Sequence, residues 1–161
     1  MKRNKVLVPL SHEHHEGLLF VWKIRQGIRN SVPTHRIADF CQWFWNNHLE
    51  GHMAKEENIL PQVLPVEHPM MQKMFDEHQA IKAQVMNLQE YACFQTLEHL
   101  AKVVECHIRF EERQLFKLIQ ELAKPGQLKE LEDDNHKQAA EWADEFWLYK
   151  KSSTILPQSS N

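Results

Sequence analysis

Glycine is scarce in this chain, at four of 161 residues, which excludes a glycine-rich phosphate loop and makes a low-complexity chain a poor fit. Cysteine is limited to Cys41, Cys93 and Cys106, an odd number set far apart. No disulfide framework and no Cys-x-x-Cys zinc or redox motif can be built from them within the chain, and reduced thiols in a cytosol are the expectation. Long apolar runs are missing too. The longest, Leu18 to Trp22, falls far short of the ~20 residues that cross a bilayer, and the apolar stretch before Pro9 in MKRNKVLVPL is too short for a signal-peptide core. Lysine and arginine are scattered and the net charge is -3, which argues against a nucleic-acid surface or a polybasic membrane patch. These absences leave a soluble, cytoplasmic single domain, which at this length hides roughly 70% of its unfolded surface.

What is present is helical periodicity. The prolines stay out of the long periodic stretches and mark their ends. The first helix follows Pro9 with Ser11 as N-cap and runs to about Arg29, and the second starts around Pro33 and Thr34 and ends before Pro61. Pro61, Pro65 and Pro69 make a linker. The third helix covers roughly Met70 to Ala92 and the fourth roughly Thr96 to Lys124, stopped by Pro125-Gly126. A fifth amphipathic segment, about Gln127 to Tyr149, carries Leu128, Leu131, Trp142 and Phe146, and a frayed tail follows Lys150. The fold class expected is all-α: an antiparallel up-down four-helix bundle over residues 1–126, an additional C-terminal helix over 127–150 packed on it, and a flexible tail over 151–161.

Histidine is in excess, at eleven residues, and several fall on the apolar stripes. On the second helix, His48, His52 and Glu56 share the stripe of Ala38, Cys41, Trp45 and Ile59, while Glu57 points away. On the fourth, His107 and Glu111 sit amid Leu97, Leu100, Val104, Leu115 and Leu118, with Glu112 toward the edge. The third offers His78 alone, since the position four residues on is Lys82. On the first helix His14 lies within about 40° of Val21 and Ile28, but Leu18, Leu19 and Trp22 widen the stripe toward His15, so both remain candidates.

A single inward histidine is more often a hydrogen-bonded core residue than a ligand. Two carboxylates and four imidazoles buried together are different, because without a cation each buried ion costs several kcal/mol. Carboxylate with imidazole suits iron, manganese or zinc, and the lack of inward cysteine disfavours a thiolate site. Six ligands exceed the four of a structural zinc. Two metals bridged by Glu56 and Glu111 use all six and leave room for a solvent or oxygen-derived bridge. The Glu-x-x-His spacing of ferritin-like di-iron bundles and the His-Glu-x-x-His of zincins are both absent.

The order HEHHE, HMAKEE, FDEHQAI and HIRFEERQLF resembles the haemerythrin-like (HHE cation-binding) domains across roughly residues 10 to 122. That resemblance implies a four-helix bundle around a non-haem di-iron centre, two iron ions with an oxo or hydroxo bridge, for which zinc or manganese can substitute. It places ligands at His14 or His15, His52, Glu56, His78, His107 and Glu111. Oxygen-carrying haemerythrins have two histidines four apart on the third helix and an aspartate in the last motif. Here Met74 stands four before His78, and Glu111 four after His107, which looks more like the iron-repair and sensor-type relatives. His48 is either a fifth imidazole or a partner that hydrogen-bonds a ligand. The implied function is binding of, or reaction with, oxygen, peroxide or nitric oxide, in iron handling or sensing. The alternative is a metal-stabilised helical interaction module with a structural site, whose Trp142, Phe146 and Trp147 bind a protein partner.

Overall fold

The computed structural model describes residues 2–129 and 141–148. Helix α1 spans Leu7–Arg29, α2 Thr34–Phe44, α3 Glu50–Ile59, α4 Pro69–Asn87, α5 Phe94–Phe110 and α6 Phe116–Leu122. A π-helical turn over Trp45–Leu49 joins α2 to α3 without a break, and another over Glu111–Leu115 joins α5 to α6. The result is four antiparallel rods in up-down order, in which α1 packs on α2, α3 and α5, and α4 packs on α2 and α5.

Local chemistry sets the ends. Helix α1 starts four residues before Ser11, because Asn4 closes the first turn by accepting Leu7 N–H at 3.0 Å and Val8 N–H at 3.1 Å. Pro9 then sits in a first turn where it has no intrahelical bond to lose. Ser11 donates its hydroxyl to Glu112 at 2.8 Å and is no cap. His68 caps α4 by accepting Met70 N–H. The break near Cys93 is itself a capping box, with Cys93 Sγ taking Thr96 N–H and Thr96 Oγ1 taking Cys93 N–H. Glycine matters where rods approach: a Cβ on Gly17 would stand 2.7 Å from Ile108, and one on Gly27 2.8 Å from both Ile37 and Phe146.

Two apolar clusters fill the bundle. One, rich in aromatics (Phe20, Phe40, Phe44, Trp45), occupies the end where α1 turns into α2. The other, built on Leu7, Leu60, Met71, Met74, Phe116 and Ile119, occupies the opposite end. Between them lies a layer of six buried polar residues: His14, His52, Glu56, His78, His107 and Glu111.

The C-terminal segment departs from expectation. Residues 127–129 and 141–148 are not helical, and the rest of the expected helix, like the tail over 151–161, lies outside the described residues. Near its end the Trp142 indole donates to Asp144 O at 2.9 Å and Phe146 N–H to the same carbonyl, closing a tight turn instead of a helix. Phe146 is buried on Gly27 and Phe40, Trp147 packs on Phe40, and Arg36 grips Asp144 through two hydrogen bonds. The segment therefore packs on the bundle as a strap.

Candidate metal centre

The polar layer is assembled from every rod. Helix α1 brings His14, α3 brings His52 and Glu56 one turn apart, α4 brings His78, and the junction of α5 with its π turn brings His107 and Glu111. His14 and His52 face each other with ring centroids 4.7 Å apart, and His78 and His107 at 4.8 Å. Both carboxylates lie between the two imidazole pairs and are wholly buried. The ligand-type atoms fall into two overlapping groups, His14, His52, Glu56 and Glu111 in one, Glu56, His78, His107 and Glu111 in the other, each within 4.8 Å. Each group has two imidazoles of its own, and both groups share the two glutamates.

A second set of carboxylates surrounds the first. The Nδ1–H of His14 donates to Glu112 at 2.6 Å, that of His52 to Glu13 at 2.6 Å, that of His78 to Glu57 at 2.8 Å, and that of His107 to Glu77 at 2.8 Å. A carboxylate accepts and never donates when ionised, so each Nδ1 carries a hydrogen and each Nε2 is turned to the interior.

At the interior the hydrogen bonding is incomplete. His14 Nε2 reaches Glu111 at 2.8 Å and Glu56 at 3.1 Å. His52 Nε2 lies 2.9 Å from Glu56 and His107 Nε2 2.9 Å from Glu111, close enough for charge attraction but at angles that make no hydrogen bond. His78 Nε2 stands 3.2 Å from Glu56 and 3.4 Å from Glu111, again unbonded. Glu56 Oε2 and Glu111 Oε1 are buried and unpartnered as well. Buried polar atoms are almost always satisfied, so five orphaned imidazole and carboxylate atoms converging on one layer fit a bound cation.

The charge balance agrees. Burial works against protonated imidazole, yet the surrounding carboxylates outweigh it. Glu111, Glu112 and Glu56 push His14 up to about 12, Glu111 and Glu56 push His78 up to about 10, and Glu56 with Glu13 pushes His52 up to about 9. Burial and Glu56 would raise Glu111, but His107 and His14 hold it down at about 2. Protons are standing in for positive charge, and a metal can replace them.

Of the residues read from the sequence, the structure brings together His14, His52, Glu56, His78, His107 and Glu111 and leaves out two. His15 is exposed on the outer face of α1. His48 lies half-buried against Trp43 and Phe44, with ring centroids at 5.2 and 4.8 Å. A helical wheel at 100° per residue puts it inward, but the wider π turn gives the inward positions to Trp45 and Leu49 and moves His48 off the stripe. The expectation that Glu57 points away is also corrected, since it reaches across to His78. The outer glutamates were legible only as neighbours in sequence of inner residues: Glu13 beside His14, Glu57 beside Glu56, Glu77 beside His78, Glu112 beside Glu111. Met74 is buried in the apolar cluster next to the layer.

No helix among the described residues is long and apolar enough to cross a membrane. The family model for the hemerythrin HHE cation binding domain matches residues 7–119. No curated protein and no solved structure matches the chain.

Proposed function

The chain belongs to the hemerythrin HHE cation-binding domain family, and from that premise we propose that it is a non-haem di-iron protein that binds or reacts with oxygen, peroxide or nitric oxide, in iron handling or sensing. His14 and His52 would hold one iron and His78 and His107 the other, with Glu56 and Glu111 available to both. The observation that carries this reading is the set of buried, unpartnered Nε2 and carboxylate atoms in one layer. Two iron ions so held supply adjacent one-electron centres for a small diatomic or peroxidic ligand. The protein's own part is to orient four imidazoles through Nδ1, to share two carboxylates, and to keep bulk water out with an apolar cluster on each side. Three free thiols, Cys41, Cys93 and Cys106, suit a reducing cytoplasm.

Among the described residues four imidazoles reach the layer, which favours redox or nitric oxide chemistry over reversible oxygen storage. The interaction-module reading gains little, because Trp142, Phe146 and Trp147 are already turned onto the bundle. The test is to load the chain with ferrous iron without oxygen, admit air, apply vacuum, and record the visible spectrum throughout. Irreversible oxidation is expected. A visible band that appears in air and vanishes under vacuum would place the protein among oxygen carriers.

A further inference from the structure

The four outer contacts share one direction. Glu13 on α1 holds His52 on α3, and Glu57 on α3 holds His78 on α4. Glu77 on α4 then holds His107 on α5, and Glu112, in the turn after α5, holds His14 back on α1. The chain of contacts passes once round the bundle and closes. Each rod supplies inner donors and, from the adjacent residue, the carboxylate that fixes the next rod's imidazole. The outer glutamates have side chains 26 to 34% exposed, so they form the boundary between the buried layer and solvent. Several are gripped from outside: Glu13 by Lys55 at 2.7 Å, Glu112 by Arg3 at 2.7 Å, and Glu77 has Lys73 at 3.8 Å.

We propose that Glu13, Glu57, Glu77 and Glu112 form a closed ring of positioning residues that sets the tautomer and aim of all four imidazoles, and that two of them tie the two metal positions together. The proposal rests on the dinuclear reading above. Glu13 and Glu77 each join two rods of the same position, linking His14's helix to His52 and His78's helix to His107. Glu57 and Glu112 run between positions, from Glu56's helix to His78 and from Glu111's turn to His14. Loss of Glu77 therefore weakens the His78–His107 position selectively. Loss of Glu57 or Glu112 weakens one position and also uncouples its filling from the other.

The experiment is an anaerobic titration of the full chain with cobalt(II), followed by its visible bands and by elemental analysis, on the wild type, Glu77→Ala, Glu77→Gln, Glu57→Ala and the control Asp76→Ala. Asp76 is the exposed carboxylate next to Glu77. The wild type should take two cobalt ions. Glu77→Ala should take one tightly and the second roughly 10- to 100-fold more weakly, with one set of bands altered, as loss of an outer partner of a ligating histidine generally causes. Glu77→Gln should recover most of that affinity, since its amide oxygen accepts the same hydrogen bond. Glu57→Ala should bind its two ions in separate steps, and Asp76→Ala should match the wild type. Thermal melts of the metal-free forms report any variant that fails to fold, and Glu77→Gln then carries the test alone, through a shift in the bands. A wild type that takes up no cobalt rejects the dinuclear reading and the ring with it. A wild type that takes two while both Glu77 variants match it in affinity and spectrum rejects the ring and leaves the dinuclear reading in place.

Discussion

The first half of the bundle, α1 with the α2–α3 rod, and the second half, α4 with the α5–α6 rod, contribute the same donors: one histidine from the plain helix and a histidine and glutamate four apart from the rod that contains a π turn. Their surroundings differ. His14 makes two inner hydrogen bonds and stacks on Phe116 at 5.1 Å, whereas its counterpart His78 makes none. In the first half the π turn precedes the ligands, and in the second it begins at Glu111 itself. There Glu111 enters the shared layer and the next residue, Glu112, reaches His14, just as Glu56 and Glu57 divide between the layer and His78 on the regular helix α3. The donor set is repeated while its packing is not, so the two halves are alike in chemistry and unequal in the contacts that hold their imidazoles.

The largest effect should come from breaking what both halves share. Glu111→Ala removes a carboxylate common to both positions and leaves imidazoles without their counter-charge, so both metals should be lost and the fold destabilised by about 3–5 kcal/mol. Elemental analysis and chemical denaturation check this, and retention of two metals would show that the glutamate is not shared. His107→Ala should be milder, removing one metal and leaving the His14–His52 position filled. His99→Ala, exposed on the opposite face of α5, should change neither metal content nor melting temperature. Equal thermal shifts for the two would contradict the inward placement of His107.

Inner donors were legible in the sequence because histidine and glutamate at helical spacing on an apolar stripe stand out one helix at a time. The outer ring was not, because each of its contacts runs between rods and a wheel treats each rod alone. His48 leaves the stripe for a related reason: a π turn has no compositional mark, and its wider spacing moves His48, which lies inside it, while Ala38, Cys41 and Trp45 stay buried. The four rods and their order were readable from helical periodicity, with proline marking the breaks on either side of the second rod. The start of α5 was not, since cysteine is an unusual cap, and the strap over 141–148 looked helical because its aromatic spacing suits a helix equally well.

A smaller contrast separates the metal-free and loaded states. His14, His52 and His78 have folded values of about 12, 9 and 10, above the ordinary 6.5. In the metal-free chain their stabilisation is complete below about pH 6.5 and fades as pH rises through about 9 and beyond. Glu111, held at about 2, contributes above its ordinary 4.5 and loses that contribution only in strong acid. The metal-free melting temperature should therefore fall between about pH 6.5 and 9, while metal affinity should rise over the same range as protons leave Nε2. Calorimetry on both forms reads the two trends, and parallel slopes would contradict the exchange of protons for metal.

The smallest effect is expected at His48. His48→Ala removes ring contacts with Trp43 and Phe44, worth up to about 1 kcal/mol, and should leave metal content and visible spectrum as they are. A changed spectrum would bring this side chain back to the centre.

Elemental analysis of the chain expressed with ample iron and purified without oxygen tests the proposal of a dinuclear site most directly. Two iron atoms per chain are predicted, matching two imidazole pairs that share Glu56 and Glu111. One metal per chain, or a single zinc with no iron, would contradict it.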